Sequence, residues 1–304
     1  MNVTEHQVAQ LAAAFDDAGV RFRREEPLAR YTTVGLGGPA ELLAFPASTE
    51  EMLAAVRLAN ELGVPSRVLG GGSNLLISDA GVRGVVLHTG AMKIVRFGNG
   101  GEVEAEAGAH FPGLVRAAVS RGLRGLEGGV GIPGSMGGVL AMNAGAFDFS
   151  VGNWVEDVTV VSPLGEKLLL PRGRIDFRYR TSSLGDDFVV AACRMKLAED
   201  DPRAIRADMD KQMTVRKTSQ PVGVKSAGCI FKNPIGDSAG RLIDSLGMKG
   251  FRVGGARVSE VHANFIVHDG KATTLDVLTL IEQIKEKVLR ETSVELVEEV
   301  KQWA

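Results

Sequence analysis

The chain is poor in cysteine and has no excess of charge of either sign. Its 304 residues include two cysteines, Cys193 and Cys229, which argues against a disulfide framework and against a cysteine-ligated metal cluster. The 35 basic and 37 acidic side chains give a formal net charge of −2. Because dedicated binders of nucleic acid or anionic membranes carry a clear basic excess, this balance argues against both classes.

Long apolar runs and familiar catalytic motifs are also missing. No run reaches the roughly 18 apolar residues of a membrane span, and the N-terminus has no basic segment followed by an apolar one. None of the five histidines pairs at metal-ligand spacing, and there is no Gly-x-Ser-x-Gly motif or candidate triad. We therefore expect a cytoplasmic protein with reduced thiols, no membrane insertion, no nucleic-acid partner and no metal. Among oligomeric states, a monomer is favoured.

Glycine is the residue that the chain has in excess. It occurs 38 times in 304 residues, well above the usual level of about 7%. The glycines cluster at Gly70–Gly72, Gly128–Gly138 and Gly254–Gly255. Such clusters mark places where the backbone turns sharply or approaches another group closely, so they are the first indication of a bound ligand.

Periodicity and capping residues predict an α+β fold. The predicted elements include helices at about 4–18, 49–62 and 274–291, a hairpin at 155–161 and 167–170, and a last strand at about 294–300. The stretch from Gly125 to Gly145 is too glycine-rich for either regular state. Composition changes from glycine-rich to charged near residue 198, and we place a domain boundary there.

The first glycine loop, Gly70-Gly71-Gly72-Ser73-Asn74, lies between two predicted strands. Successive backbone amides in such a loop can form a nest for an anion such as a phosphate. The loop lacks the lysine of a P-loop and leads into a strand-like run, so it is neither a P-loop nor a Rossmann fingerprint. A tight hairpin turn is the equally weighted alternative.

The second glycine segment, Gly129–Gly138, continues to Asn143-Ala144-Gly145. Ordering so many glycines costs conformational entropy, which favours contact with a ligand. The alternative is a flexible linker, but apolar residues such as Ile132 and Met136 are embedded in the segment and argue against it.

Four further residues are candidates for chemistry, each with a plainer alternative. Cys229 lies in a polar loop, and a buried small hydrophobe is its alternative role. Cys193 falls in an apolar predicted strand and fits that plainer role. Tyr179 and Arg180 lie between strands, where they could form a surface pair, and Glu299 could be a solvated strand charge.

The motifs, and the order in which they follow one another along the chain, resemble those of the UDP-N-acetylenolpyruvoylglucosamine reductase family. The segments that carry the resemblance are Tyr31-Thr32-Thr33, Gly37-Gly38-Pro39-Ala40, the Gly70–Asn74 loop, Gly131-Ile132-Pro133-Gly134-Ser135, Asn143-Ala144-Gly145, Tyr179-Arg180, Gly228–Pro234, Gly254-Gly255-Ala256 and Glu299-Val300. They cover nearly the whole chain. The resemblance implies an FAD-binding region of the vanillyl-alcohol-oxidase type over residues 1–198, with two subdomains meeting near residue 65. It also implies a C-terminal α/β substrate-binding domain over residues 199–304.

The resemblance also implies an activity. Family members reduce the enolpyruvyl ether of UDP-N-acetylglucosamine to UDP-N-acetylmuramate in the cytoplasmic stage of peptidoglycan synthesis, with NADPH as electron donor and bound FAD. Non-covalent FAD is expected, because residues 66–78 contain no histidine or cysteine to attach it. The length resembles the family's compact subtype, so substrate-lid residues of the longer subtype are not transferred.

Site residues follow from the resemblance position by position. Arg180, Cys229 and Glu299 match catalytic positions, and Tyr179 and Asn233 match substrate-binding positions. The cofactor-binding positions are Gly70, Gly71, Gly72, Ser73, Asn74, Gly131, Ile132, Pro133, Gly134, Ser135, Gly138, Asn143 and Gly145. Many family members have serine where this chain has Cys229.

These residue types suit the implied reaction. Negative charge builds on the substrate as hydride adds to its vinyl carbon, and a fixed cation such as Arg180 stabilises it. Glu299 can donate a hydrogen bond while protonated, or position the donors. A thiol, with an ordinary pKa of about 8.5, is mostly protonated at pH 7, so Cys229 can supply the final proton.

Two other functions are weighed against this one. An alcohol oxidase of the same flavin fold is disfavoured, because many such oxidases attach flavin through histidine or cysteine near the glycine loop. A non-catalytic nucleotide-binding module is the second alternative, and a colourless purified protein would support it.

Overall fold

The computed structural model describes residues 3–146, 148–185 and 188–303. Within these residues, the α-helices are α1 (Glu5–Asp17), α2 (Thr49–Glu61), α3 (Phe111–Ser120), α4 (Met136–Ala141), α5 (Pro202–Ser219), α6 (Ala239–Ser245) and α7 (Thr274–Thr292). The strands as far as α4 are β1 (Phe22–Pro27), β2 (Pro39–Ala44), β3 (Ser66–Leu69), β4 (Leu75–Ile77), β5 (Val82–His88), β6 (Val95–Phe97), β7 (Glu102–Glu106) and β8 (Leu123–Arg124). The later strands are β9 (Gly145–Ala146), β10 (Phe149–Ser150), β11 (Val155–Val161), β12 (Lys167–Pro171), β13 (Phe177–Arg178), β14 (Thr181–Ser182), β15 (Val189–Lys196), β16 (Ala198–Glu199), β17 (Arg252–Val253), β18 (Ala256–Val258), β19 (Ile266–His268) and β20 (Lys301–Trp303).

The chain forms two compact units. The first unit takes in the chain up to Glu25, then Glu41–Gly71 and Arg83–Val215. The second unit takes in Glu26–Ala40, Gly72–Val82 and the chain from Arg216 onward. The loop Gly70–Asn74 is therefore divided, with its first two glycines in the first unit and its last three residues in the second.

Among its described residues, the first unit contains two large sheets, three two-stranded sheets and two hydrophobic cores. A four-stranded sheet has the order β1-β2-β5-β3, and a five-stranded antiparallel sheet has the order β12-β11-β15-β7-β6. One core includes Leu11, Phe15 and Met52 of the helices α1 and α2. The other includes Phe111 of α3 and Met136 of α4. Burial of these large side chains is the main source of stability for the sheets that carry the glycine loops.

The second unit is built on α7. This helix begins at a capping box in which Thr273 and Asp276 bond each other's backbone N–H groups. Its buried face includes Leu280, Ile284 and Val288, which share a core with α6 and with the antiparallel sheet β17-β18-β19. A separate parallel pair, β4 with β20, brings Leu75 opposite Lys301.

The mixture of helices and strands confirms the predicted α+β class. Helices α1, α2 and α7 and the β11–β12 hairpin begin and end within two residues of their predicted bounds. Thr4 and Gln7 form the capping box expected at the start of α1. These elements were predictable because each combines clear periodicity with a recognisable cap or turn.

Two expectations from the sequence and one of its open alternatives are wrong. The stretch from Gly125 to Gly145 contains α4, because Met136, Val139 and Leu140 bury one face at helical spacing despite the glycines. The Gly70–Asn74 loop is not a hairpin turn, because β3 pairs with β5 whereas β4 pairs with β20.

The third error concerns the last strand, which is β20 rather than the predicted 294–300. Leu296 and Val300 are buried four positions apart in the core of the second unit, without the alternating burial of a strand. The backbone between them makes separate hydrogen bonds and no continuous strand ladder. The Lys232 N–H donates to the Val297 carbonyl, and the Glu299 N–H donates to the Ile230 carbonyl.

Candidate active site

The two glycine motifs that the sequence displays separately meet in the first unit. The Gly71 N–H donates a hydrogen bond to Ser135 Oγ over 3.2 Å. A Cβ atom at Gly71 would lie 2.7 Å from Gly134 Cα and 2.9 Å from the Ser135 nitrogen, and one at Gly70 would overlap Ser135 Oγ. Only glycine lets the two backbone segments approach this closely, so the motifs form one continuous surface.

This surface is tied to its neighbours by main-chain hydrogen bonds. The Met136 N–H donates to the Ala109 carbonyl over 2.9 Å, and the Gly137 N–H donates to the Ala107 carbonyl over 2.8 Å. Ser135 precedes α4 and is itself buried. Main-chain hydrogen bonds within the protein therefore hold the segment around Ser135 in position.

Other residues of the same segment face solvent. Gly131, Pro133 and Gly138 are exposed, whereas Ile132 between them is buried and anchors the turn. The backbone of Gly131 has φ of 78°, in the left-handed region that favours glycine. A Cβ atom at Gly138 would meet no protein atom nearer than Ser135 Oγ, at 3.8 Å. The protein leaves room at Gly138, which suits close approach of a ligand.

Asn143 uses its side chain within the protein. Its Nδ2 donates to the Arg178 carbonyl over 2.8 Å, and its Oδ1 accepts from Ser150 Oγ over 2.8 Å and from the Gly152 N–H over 3.1 Å. The residue is buried, with φ of 41°. Because Arg178 ends β13, this side chain holds the start of the turn that follows.

That turn, between β13 and β14, carries Tyr179 and Arg180. The Arg180 guanidinium carbon lies 5.0 Å from the centroid of the exposed Tyr179 ring, a cation–π contact. A Cβ atom at Gly145 would overlap the Phe149 carbonyl oxygen and would lie 3.1 Å from Arg180 Nη1, so Gly145 packs next to the guanidinium. Arg180 is half-buried and has φ of 56°, which is uncommon for a residue with a side chain. A constrained, partly desolvated cation is suited to stabilising an anion.

The second unit holds the other predicted catalytic residues. Cys229 is half-buried and pairs with Phe265 in an isolated antiparallel bridge. The Glu299 N–H donates to the carbonyl of Ile230 over 2.8 Å, and the Glu299 carbonyl accepts from Asn74 Nδ2 over 2.9 Å. The loop of Cys229 and the segment of half-buried Glu299 are thus brought side by side.

The remaining predicted site residues of this unit lie in the glycine loop and in the segment that follows Cys229. Gly72 has φ of 57°, a Cβ atom there would overlap the Tyr31 carbonyl oxygen, and its own carbonyl accepts from the Thr33 N–H. Ser73 is half-buried. Asn233 is exposed, and its Oδ1 accepts from the Ala239 N–H at the start of α6 over 3.1 Å.

Sequence reasoning missed Asn264, at the end of the turn before β19. It is 3% exposed, and both ends of its amide bond the backbone of Phe231. The sequence offers one weak signal, a polar residue at the start of an apolar strand-like run. That signal does not reveal a partner 33 positions away.

The two cysteines lie in different surroundings. Cys193 is 1% exposed within β15, and burial raises the pKa of its thiol to about 12. It is therefore an unreactive core residue, as expected. Cys229 is only half-buried, in a polar loop.

Neither a metal cluster nor a membrane-spanning helix is present in residues 3–146, 148–185 and 188–303. There, no group of three or more histidine, cysteine, aspartate or glutamate side chains is placed to hold a metal ion. In the described part of the chain, no helix combines the length and the apolar character that crossing a membrane requires.

Two family descriptions match the chain. Residues 40–169 match an FAD binding domain. Residues 220–303 match the C-terminal domain of UDP-N-acetylenolpyruvoylglucosamine reductase.

Full-length relatives agree with these matches. The UDP-N-acetylenolpyruvoylglucosamine reductase of Moorella thermoacetica is 43% identical over 278 residues, which cover 91% of this chain and 92% of that protein. UDP-N-acetylenolpyruvoylglucosamine reductase 2 of Symbiobacterium thermophilum is 44% identical over 296 residues, covering 97% and 96%. The crystal structure of the reductase from Thermus caldophilus superposes with a TM-score of 0.80 at 39% identity, covering 94% of this chain and 99% of that chain.

Proposed function

Because the chain belongs to the UDP-N-acetylenolpyruvoylglucosamine reductase family, we propose that it reduces the enolpyruvyl ether of UDP-N-acetylglucosamine to UDP-N-acetylmuramate for peptidoglycan synthesis. The resemblance found in the motifs is confirmed, as is the fold of a vanillyl-alcohol-oxidase-type FAD-binding region joined to this family's C-terminal domain. The observation that carries the proposal is similarity along more than 90% of the chain, through both of these regions.

We propose that FAD is held without a covalent bond at the glycine surface of the first unit. The fit is supported by the exposed backbone at Gly131 and Gly138, and by the room that the protein leaves beside Gly138. Gly70, Gly71, Gly134 and Ser135 would shape this surface through the close approach of their backbones. Gly72, Ser73, Asn74, Ile132, Pro133, Asn143 and Gly145 are the other proposed cofactor positions. When bound, FAD reduced by NADPH supplies the hydride for the vinyl carbon of the substrate.

We assign to Arg180 the role of stabilising the negative charge that develops on the substrate. Its guanidinium donates hydrogen bonds to the carboxylate and enolate oxygens, which gain charge as the vinyl group is reduced. Tyr179 is assigned to substrate binding beside it, as is Asn233 in the second unit. Glu299 donates a hydrogen bond or orients the donors.

We assign to Cys229 the role of donating the proton that completes the reduction. The S–H bond breaks and a C–H bond forms at the carbon next to the carboxylate, while the enolate electron pair becomes the new bond. The thiolate then takes a proton from solvent. General acids of this kind contribute about 10²–10⁴-fold to rate.

The same proposal covers organisation and location. We assign residues 1–198 to the FAD-binding region, with an inner boundary near 65, and residues 199–304 to substrate binding. Two short segments of the first region, Glu26–Ala40 and Gly72–Val82, belong to the second compact unit. We propose a monomer acting in the cytoplasm, where the family's step of peptidoglycan synthesis takes place.

An anaerobic titration tests the activity. The purified protein should be yellow, NADPH should bleach the flavin, and the enolpyruvyl substrate should restore the colour with formation of UDP-N-acetylmuramate. Acid precipitation should release all flavin into the supernatant. A colourless protein would support a nucleotide-binding module, and reduction of the flavin by an alcohol would support an oxidase.

A further inference from the structure

We propose that Asn264 is a positioning residue that holds the Cys229 thiol in place for proton transfer, an inference that rests on the proposed function of Cys229. The Asn264 Oδ1 accepts from the Phe231 N–H over 2.9 Å, and its Nδ2 donates to the Phe231 carbonyl over 2.8 Å. Its own carbonyl accepts from the Ile230 N–H over 2.9 Å. One residue thus makes three hydrogen bonds to the two positions that follow Cys229.

These hydrogen bonds matter because the residue before Cys229 is a glycine, which restricts the backbone less than other residues do. Gly228 precedes Cys229 with φ of 79°, in the left-handed region that glycine adopts readily. Ile230 and Phe231 are each 1% exposed. The Cys229 backbone bridges to Phe265, and the buried, hydrogen-bonded pair Ile230 and Phe231 anchors the chain immediately after it.

Asn264 is itself fixed by the turn that carries it. Its N–H donates to His262 Nδ1 over 3.2 Å, and the His262 ring packs edge-on against Phe265, with centroids 5.1 Å apart. Ser259 Oγ accepts the N–H groups of Val261 and His262. A rigid turn lets the amide act as a preorganised clamp.

The second predicted catalytic residue of this unit depends on the same clamp. The Glu299 N–H donates to the Ile230 carbonyl, so the position of Ile230 sets the position of the Glu299 backbone. Displacing Ile230 and Phe231 would move the general acid and its neighbour together. A displacement of about 1 Å is enough to cost about 10²-fold in rate.

Asn264→Asp tests the clamp, because the two side chains have the same shape and differ in one donor. A protonated carboxyl can accept from the Phe231 N–H and donate to the Phe231 carbonyl, as the amide does. An ionised carboxylate keeps the first bond and places a negative oxygen against the Phe231 carbonyl. Burial favours the neutral acid, so the switch should occur above the usual range of a carboxyl group.

The measurement is stopped-flow flavin absorbance in the two separate half-reactions, across the pH range. At alkaline pH, we expect Asn264→Asp to be reoxidised by substrate about 10²-fold more slowly than wild type, and to recover most of that loss under acidic conditions. Reduction by NADPH and the substrate Kd should match wild type. Other titratable groups near this site are His262 on the same turn, Cys229 and Lys232 on the clamped segment, and Glu298 and Glu299 on the C-terminal segment. Wild type carries all of them and serves as the pH reference.

Asn60→Asp is the matched control. The Asn60 Nδ2 also donates to a backbone carbonyl, that of Pro163, over 2.9 Å, but it is exposed on α2 in the first unit. This variant should have the wild-type pH profile in both half-reactions. Asn264→Ser, which loses both side-chain bonds, should slow reoxidation at every pH without recovery.

Three results would overturn the proposal: an Asn264→Asp profile parallel to wild type, equal slowing of both half-reactions, or failure of both variants to fold. Each would make Asn264 an ordinary structural residue. Failure of the proposed function is a separate result, because wild-type protein whose reduced flavin is not reoxidised by the substrate reveals it before any variant is made.

Discussion

Backbone contacts hold the predicted site residues of the first unit in position, whereas side-chain amides hold those of the second unit. In the first unit, Gly71 and Gly134 bring backbone against backbone, and a single methyl group would separate them. In the second unit, Asn74 and Asn264 bond the backbone of Glu299 and Phe231 through their side-chain amides. The first arrangement depends on the absence of side chains, and the second depends on particular ones.

Asn143 shows that the first unit also needs an amide where it presents a charged group. Its side chain bonds the carbonyl of Arg178, two positions before Arg180. Glycine allows two backbone segments to approach each other closely, whereas the asparagine side chain fixes the backbone from which Arg180 extends. The comparison therefore predicts different kinds of damage from changes at the two types of position.

The largest of three effects is expected at Arg180. Arg180→Ala removes the cation assigned to the developing charge, and turnover should fall about 10²–10³-fold. Substrate affinity should change much less, because the interaction strengthens in the transition state. Steady-state and single-turnover kinetics measure both quantities.

Arg180→Lys is the control for charge alone. It should keep part of the activity, since lysine retains the positive charge but not the planar fork of donors. A loss confined to substrate affinity in Arg180→Ala, with normal turnover, would contradict the assigned role.

A smaller effect is expected from Gly71→Ala, which places a methyl group 2.7 Å from Gly134 Cα. Overpacking of this kind costs about 1–3 kcal/mol in the free energy of unfolding. The altered surface should also lose flavin during gel filtration. Thermal unfolding and the flavin-to-protein absorbance ratio measure these two losses.

Gly173→Ala is the matched control, because a Cβ atom there would find no protein atom within 4 Å and the backbone has no left-handed φ. It should keep its flavin and change stability by less than about 0.5 kcal/mol. Equal behaviour of the two variants would show that the close approach at Gly71 does not organise the flavin surface.

The smallest effect concerns pH and the turn that carries Asn264. Burial, helped by nearby Lys249 and opposed by Asp244, lowers the pKa of His262. The unfolded chain therefore binds a proton more readily than the folded chain. Stability from this group is complete above the ordinary histidine pKa of about 6.5 and decreases as pH falls toward the lowered folded pKa.

His262→Asn should reduce the slope of unfolding free energy against pH over this acidic interval. Asparagine keeps an acceptor for the Asn264 N–H while removing the titrating ring. An unchanged slope in His262→Asn would show that His262 does not contribute to the pH dependence.

The sequence makes the close approach of the glycine segments in the first unit easier to predict than the contacts around Cys229 in the second unit. Glycine clusters are visible as composition, and their need for close approach follows from the missing Cβ atom. α4 was missed because glycine content masked the helical spacing of Met136, Val139 and Leu140. The hydrogen bonds of Asn264 could not be predicted, because its partner Phe231 is adjacent only after folding.

The most direct test of the account is stopped-flow flavin absorbance of Cys229→Ala, followed separately during reduction by NADPH and reoxidation by the enolpyruvyl substrate. The account predicts near-normal reduction and a loss of about 10²–10⁴-fold in reoxidation, the range for removal of a general acid. Cys229→Ser, which restores a proton donor, should recover much of that loss. Equal slowing of both half-reactions, or normal reoxidation of Cys229→Ala, would contradict the account and leave Cys229 outside the mechanism.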